Sequence, residues 1–506
     1  MSILENNRRY LKTRIKTAQE LYEEGLYEDC INYIELTAVF AWLNFSGFYK
    51  LHSLEKILIE IGKTLKPFEK KLPKADPKEK NVLHICTEIK KVGGHSALLF
   101  NWIRLDSENK HTVITTAQDL RDAENIAFSY NDKNAAKLIS LKHQPKLQKA
   151  EELKQYIANG DYDYIVLHTN PNEVIPVLAL SDENIKTPVL LLNHADHTFW
   201  LGTTITDILI QIRESNIDLD NQRRNISDQS VLPIPLKSPD FIKNYQNDGH
   251  NDQINIISTG SLYKYTPNEN YNFYEEIFTI AQKHSNVKIN IVGVDKISAF
   301  AKQYQHPNIN YLGILDPEEL NKIENQMDIF LEGFPLPSFT ALLQAAQKKI
   351  PFVLHYNPLS SLKLFNDDKS HGIIYPKNKQ EWRDLVSDLV ENFNTRKEIA
   401  EKQYGLVEKL YSENAWKDLL KKIYQKADSK QHRISNFTED VFYSTENERM
   451  LSKIDSYMIS HFRYTEQLGF LKKIKKLAQV YPKNKNVKYA LSKTQIFNYI
   501  FEKHIN

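Results

Sequence analysis

Phe330-Leu331-Glu332-Gly333-Phe334-Pro335-Leu336-Pro337-Ser338-Phe339-Thr340-Ala341-Leu342-Leu343-Gln344-Ala345-Ala346 is the stretch on which the fold of this chain turns. A short apolar strand meets a Gly/Pro turn, and small hydroxyl residues then open an apolar helix. The first N–H groups of a helix lack intrahelical partners and lie at the positive end of its dipole. The start of this helix is therefore a candidate seat for a diphosphate. Gly333 lets backbone come close to a ligand, and Pro335 and Pro337 hold the turn.

Working outward, short apolar strands alternate with longer helical segments on both sides. A first series is expected at Asn81–Cys86, His111–Thr115, Ala136–Leu141, Tyr164–His168 and Pro188–Asn193. A second is expected at Ile254–Ser258, Lys288–Val292, Asn310–Leu312, Ile329–Leu331 and Phe352–Leu354, with helices at Phe273–Lys283, Glu318–Asn325 and Phe339–Gln347. Such alternation implies parallel βαβ units with right-handed crossovers. The polar, proline-broken segment Pro233–Gly249 is expected to connect the two series, and the charged KKLPKADPKEK (Lys70–Lys80) to be a linker. The organisation predicted is a helical N-terminal region over 1–75, one α/β domain over 81–240, a second over 250–425, and a helical C-terminal extension over 430–506. Two doubly wound domains of this kind are expected to face a cleft, where strand carboxyl ends bind ligands.

Bulk properties narrow the function classes. The 66 basic and 64 acidic residues leave a net charge of +2, which gives no reason to expect nucleic acid as a partner. Cys30 and Cys86 are the two cysteines, so no disulfide framework is expected and a reducing compartment fits. The N-terminal MSILENNRRYLKTR has no apolar core of the signal-peptide kind, and no apolar run approaches the roughly 20 residues that span a bilayer. A cytoplasmic protein is expected.

The second half carries a more specific signal. Ser258-Thr259-Gly260-Ser261-Leu262-Tyr263-Lys264 follows the first strand of the second series, and Asp328-Ile329-Phe330-Leu331-Glu332-Gly333-Phe334-Pro335 comes about 70 residues later. This pairing resembles the donor half of GT-B glycosyltransferases, which are built from two Rossmann-like domains, and most closely the bacterial glycosyltransferase family 4-like members. The resemblance implies that Lys264, beside Gly260, contacts the donor diphosphate. It implies that Glu332, Gly333, Ser338, Phe339 and Thr340 hold sugar and phosphates, and that the loop at Gly313, Ile314 and Leu315 meets the nucleobase through backbone groups. The family often carries a second acidic residue eight positions after the first, assigned to ribose. Here that position is Thr340, so ribose recognition must differ and the stereochemical outcome is not inherited.

Two clusters in the first domain stand out. Lys91-Val92-Gly93-Gly94-His95-Ser96 follows the first strand and opens a helix. Gly93 and Gly94 permit a tight turn on the acceptor side, and His95, as a residue whose unperturbed pKa lies near neutrality, is a candidate general base or phosphate contact. A plain capping turn with an incidental histidine accounts for the segment equally well. Asn193-His194-Ala195-Asp196-His197-Thr198-Phe199-Trp200 leaves an apolar strand at its carboxyl end. His194 and Asp196 are the leading candidates to take a proton from an acceptor hydroxyl, with His197 behind them. Metal ligation and simple packing are the rivals, and no further ligand set of recognisable spacing accompanies the cluster. Phe199 and Trp200 are expected to pack rather than to stack on sugar. Arg213, Arg223 and Arg224 are expected to be solvated surface charge, and His168 is either a cleft-side or an ordinary strand-end histidine.

These features predict an enzyme that moves a sugar from a UDP- or GDP-sugar to a glycan, lipid-linked or protein acceptor, without metal or other cofactor. A non-catalytic partner-binding subunit and a nucleotide-sugar 2-epimerase are the alternatives. The basic run Lys472-Lys473-Ile474-Lys475-Lys476 leaves peripheral membrane contact open, and the helical ends leave homo-oligomerisation open.

Overall fold

Every strand pair within the two sheets is parallel, and that alone dictates most of the architecture. Parallel neighbours need crossover connections, and these cover the sheet faces with helices. The computed structural model describes residues 2–69, 79–91, 94–128, 130, 136–142, 144–245, 253–366, 373 and 375–458.

The first sheet contains β1 (Asn81–Cys86), β2 (Lys110–Thr115), β3 (Lys137–Ser140), β4 (Tyr164–His168), β5 (Val189–Leu192), β6 (Ile208–Gln211) and β7 (Gln229–Val231). Its order is β3-β2-β1-β4-β5-β6-β7. The second contains β8 (Ile254–Thr259), β9 (Val287–Val292), β10 (Ile309–Gly313), β11 (Ile329–Leu331) and β12 (Phe352–Val353), in the order β10-β9-β8-β11-β12. Both orders reverse beside the first strand of the series, the doubly wound, Rossmann-like arrangement whose switch point is the usual place for a ligand. The ten strands expected from apolar runs are present. β6 and β7 were not anticipated: Ile208–Gln211 hides among threonines, and Gln229–Val231 has little apolar character.

The chain divides into two compact units, one of Met1–Ile212, Asn216–Leu232 and Leu420–Asn506, the other of Arg213–Ser215 and Pro233–Leu419. The N-terminal helices Ile3–Glu23, Tyr27–Leu43 and His52–Gly62 belong to the first unit. Leu11, Ile31, Ile34, Leu54 and Leu58 share one apolar core with Leu83, Ile165 and Leu191 of the sheet. A buried carboxylate ties this region down. Glu55 accepts from the backbone N–H groups of Gly202, Thr203 and Thr204 and from the Thr203 and Thr204 hydroxyls.

The far end of the chain returns to the same unit. Residues 430–445 were expected to be helical; they instead run without helix across the first unit, where Ser, Asn, Thr and Asp favour local side-chain bonds over helix. His432 bonds Asp207 and the Leu180 carbonyl, Thr438 meets His52, and Asp440 accepts from Ser53. A helix follows at Glu446–Met458. Phe462, Tyr464, Phe470 and Lys472–Lys476 lie outside the described residues. Among those described, no helix is long and apolar enough to cross a membrane.

Removing Glu55 would strand a buried set of donors, each costing about 1–3 kcal/mol when unpaired. Glu55→Ala is expected to lower unfolding stability by at least about 3 kcal/mol, measured by chemical denaturation; an unchanged midpoint would show that the helix docks without it.

Candidate functional site

In the second unit, the carboxyl ends of β8 and β11 lie side by side at the switch point, and the residues that follow them converge. After β8 the chain passes Gly260 into a short turn of helix, Leu262–Tyr265. Tyr265 is fully buried, and its hydroxyl pairs with Ser258. Its ring packs so closely on the β11 turn that a Cβ at Gly333 would stand 2.6 Å from it. Glycine at 333 is therefore required by packing, whatever ligand it also admits.

That turn brings Lys264 to the start of the helix Phe339–Gln347. The Lys264 ammonium donates to the Pro337 carbonyl at 3.0 Å and to Ser338 Oγ at 3.1 Å. Ser338 makes no side-chain cap to its own helix, so its hydroxyl is committed to the lysine. Burial lowers the Lys264 pKa, and the nearby Glu332 carboxyl opposes that effect. Phe339 is half-buried and Thr340 is exposed.

Arg213, expected to be solvated, is buried at the same place. Its guanidinium donates to the carbonyls of Lys363 and Ser361 and lies 4.8 Å from the centroid of the Phe339 ring. The sequence signal was weak because it depended on recognising β6, which Arg213 follows. Arg223 and Arg224 are also buried, in the first unit, bonded to Glu448 and Asp220 respectively.

Glu332 is 2% exposed and accepts the His355 N–H at 2.7 Å. Burial pushes its carboxyl from 4.5 up to about 8, against the opposing pull of that N–H, Arg213 and Lys264. At neutral pH it is a protonated carboxylic acid, able to donate a hydrogen bond. The β10 loop has Gly313 at φ +67°, its carbonyl accepting from Gly293, while the Ile314 side chain is 92% exposed. Leu315 packs at the edge of the apolar core.

In the first unit the structure brings His95 and His194 together, their rings stacked with centroids 3.8 Å apart. Gly94 opens the helix Gly94–Leu105 that carries His95; Gly93 lies outside the described residues. Asp196 goes elsewhere: its carboxylate accepts from Asn216 at 2.6 Å and meets His197 at 3.3 Å. Phe199 and Trp200 are buried, as packing predicts. His168 lies beside His194, with centroids 5.9 Å apart. It continues through His84, at 3.0 Å, to His111, also at 3.0 Å, two histidines that sequence inspection passed over inside apolar strands. Burial lowers the pKa of all five imidazoles, to about 4 at His95, so they are neutral at pH 7. Among the described residues no group of three or more His, Cys, Asp or Glu converges as metal ligands.

No family model matches the sequence, and no curated protein matches it. Solved structures similar to it include a mutant O-GlcNAc transferase of Thermobaculum terrenum, at 11% identity and TM-score 0.49 over 83% of this chain and 84% of that one. Sucrose-phosphate synthase from Thermosynechococcus elongatus matches at 10% identity and TM-score 0.49 over 69% of this chain and 99% of that one. Anabaena Alr3699/HepE in complex with UDP and glucose matches at 11% identity and TM-score 0.49, over 69% and 100%. At such identities and scores the likeness carries no weight about activity.

The Glu332 carboxyl has a pH signature. The folded chain keeps a proton that the unfolded chain loses between about pH 4.5 and about pH 8, so this group lowers stability as pH rises through that window. Glu332→Gln is expected to gain on the wild type progressively from pH 5 to pH 8 in thermal melts. A constant difference would mean that Glu332 is already ionised in the native state.

Proposed function

We propose that the protein is a glycosyltransferase whose second unit binds a nucleoside-diphosphate sugar, UDP- or GDP-linked, and that its acceptor is a glycan, a lipid-linked glycan or a protein. The observation that carries this proposal is the Lys264 ammonium held against Ser338 at the start of the Phe339–Gln347 helix. A cation and helix N–H groups aimed at one spot suit a dianionic leaving group. Negative charge grows on the diphosphate as the glycosidic bond breaks, and donors already in place stabilise it there without reorganisation. Glu332, protonated at neutral pH, adds no repulsion and offers a donor to a sugar hydroxyl. The proposal gives the acceptor hydroxyl to His194, with His95 stacked on it as support. No metal has a part in it, since the cation and amides supply the charge stabilisation.

A second proposal, a non-catalytic subunit that binds a partner or acceptor, draws on Thr340. It is exposed where the resembling family often carries an acid, so it offers no carboxylate to a ribose.

A panel of UDP-, GDP-, ADP- and CMP-sugars is expected to raise the melting temperature with UDP- or GDP-sugars, because ligands of the native state stabilise it. Lys264→Ala is expected to weaken that donor about 10–100-fold, the equivalent of one charge-assisted hydrogen bond. No shift with any donor, or an unaffected alanine variant, refutes the donor site. His194→Ala is expected to lower transfer by about 10²-fold or more while leaving donor affinity intact; transfer at the wild-type rate would refute its role. Product analysis after incubation with UDP-N-acetylglucosamine alone separates transfer from 2-epimerisation.

A further inference from the structure

The imidazoles of the first unit form a row with a fixed polarity. It begins at His111 on β2, whose Nε2 lies 2.9 Å from the Asp106 backbone carbonyl. A carbonyl oxygen only accepts, so His111 carries its proton on Nε2. Being neutral, it presents a lone pair at Nδ1, and His84 Nε2, 3.0 Å away, must be the donor. The same logic passes through His84: its Nδ1 is a lone pair, and His168 Nε2 donates to it at 3.0 Å. His168, 3% exposed, is left with a lone pair at Nδ1 that has no partner among the described residues. Which nitrogen of a histidine holds the proton is set by the bond its other nitrogen makes, so one carbonyl orders the whole row.

The strand register gives the row its direction. His111 pairs with Val82 on β1, and His168 pairs with Cys86, with His84 midway between. The row thus climbs diagonally across β2, β1 and β4 to the carboxyl edge at the switch point of the sheet. The next imidazole across that edge is His194, following β5. Its Nε2 is also shielded from solvent and has no partner among the described residues. Two unpartnered buried nitrogens on adjacent rings, one of them a lone pair, call for a donor on the other. Their ring centroids are 5.9 Å apart, and a direct bond between these two nitrogens requires His194 to donate to the His168 lone pair. At the opposite end the anchor is braced: Trp102 Nε1 donates to Tyr424 at 2.9 Å, and the Tyr424 hydroxyl donates to the Asp106 carboxylate at 2.5 Å.

We propose that His111, His84 and His168 form a tautomer lock, and that His168 is a positioning residue holding His194 with its Nε2–H turned inward and its Nδ1 lone pair free for an acceptor hydroxyl. The last clause rests on the glycosyltransferase proposal; the lock itself does not. In the transfer step the hydroxyl O–H bond breaks, its proton goes to His194 Nδ1, and the oxygen electron pair forms the bond to the anomeric carbon. The diphosphate leaves with the electron pair of the old glycosidic bond. The His168 lone pair then accepts from the His194 imidazolium, the orienting part that a carboxylate plays in a catalytic triad.

The test uses the full chain labelled with ring-¹⁵N histidine, its resonances assigned through single His→Gln variants. At pH 7 the expected result is that His111, His84, His168 and His194 each carry a protonated Nε2 and an unprotonated Nδ1. A protonated Nδ1 on His168 or His194 overturns the lock, and the tautomers themselves are read on the wild-type chain. His84→Leu breaks the row at its middle; it is expected to let His168 and His194 populate both tautomers and to lower kcat about 10–100-fold with donor KM unchanged. A His194 still locked in that variant, with kcat at the wild-type value, also overturns the proposal. Locked tautomers in a protein that transfers no sugar under any donor support the row and count against the catalytic assignment alone.

Discussion

Parallel strand pairing is the constraint on which everything else in this molecule depends. A parallel neighbour cannot be reached by a tight turn, so each strand is followed by a crossover that returns to the opposite end of the sheet. All strands of a sheet then deliver their carboxyl ends to one edge, and the strand order reverses once along that edge. The loops after β8 and β11 meet there in the second unit. Those after β1 and β4 meet there in the first. Lys264 and Ser338 are 74 residues apart in sequence and 3.1 Å apart in space for this reason.

The two edges have been given opposite electrostatic characters by burial. At the second sheet, the Lys264 ammonium donates to the Pro337 carbonyl and Ser338, and the Arg213 guanidinium donates to the carbonyls of Lys363 and Ser361. Burial pushes the Glu332 carboxyl beside them up to about 8. The balance favours an anion. At the first sheet, burial lowers the pKa of five imidazoles together, because a charged ring there would have to give up its hydration; the Asp106 carboxylate beside His111 only opposes that effect. Neutral histidines retain both a donor and an acceptor, and a row of them can hold direction without holding charge.

Much of this was legible in residue order, and the misses have identifiable causes. The Phe330–Ala346 stretch announced strand, turn and helix because Gly, Pro and Ser occur where their backbone preferences are strongest. Gly260 and Lys264 were identified through resemblance, and they lie beside Ser338 at the start of the Phe339–Gln347 helix. Arg213 was read as solvated because a charged residue near other charged residues usually is; its burial depends on the long-range contact with Lys363, Ser361 and Phe339. Asp196 sat next to His197 and two positions after His194, and was read with His194, yet the chain turns its carboxylate to Asn216 and His197. His84 and His111 gave one faint sign, a polar residue inside an otherwise apolar strand. Residues 430–445 looked like more of a charged helical tail, and only their contacts with the first unit at His52, Ser53 and Asp207 explain their extended course.

By itself the amino-acid order determined ten of the twelve strands, most of the helices, that the sheets are parallel, and that a Gly/Pro turn leads into a helix. Those are local matters, set by side-chain periodicity and by the few residues whose backbone freedom is unusual. Tertiary structure alone decided which polar groups meet. Register places His111 opposite Val82 and His168 opposite Cys86, and two separate crossovers bring Arg213 and Lys264 to one helix start. It also decided their protonation, because the free energy of a charge depends on how much water and which neighbours surround it, and neither is written in the order of residues along the chain.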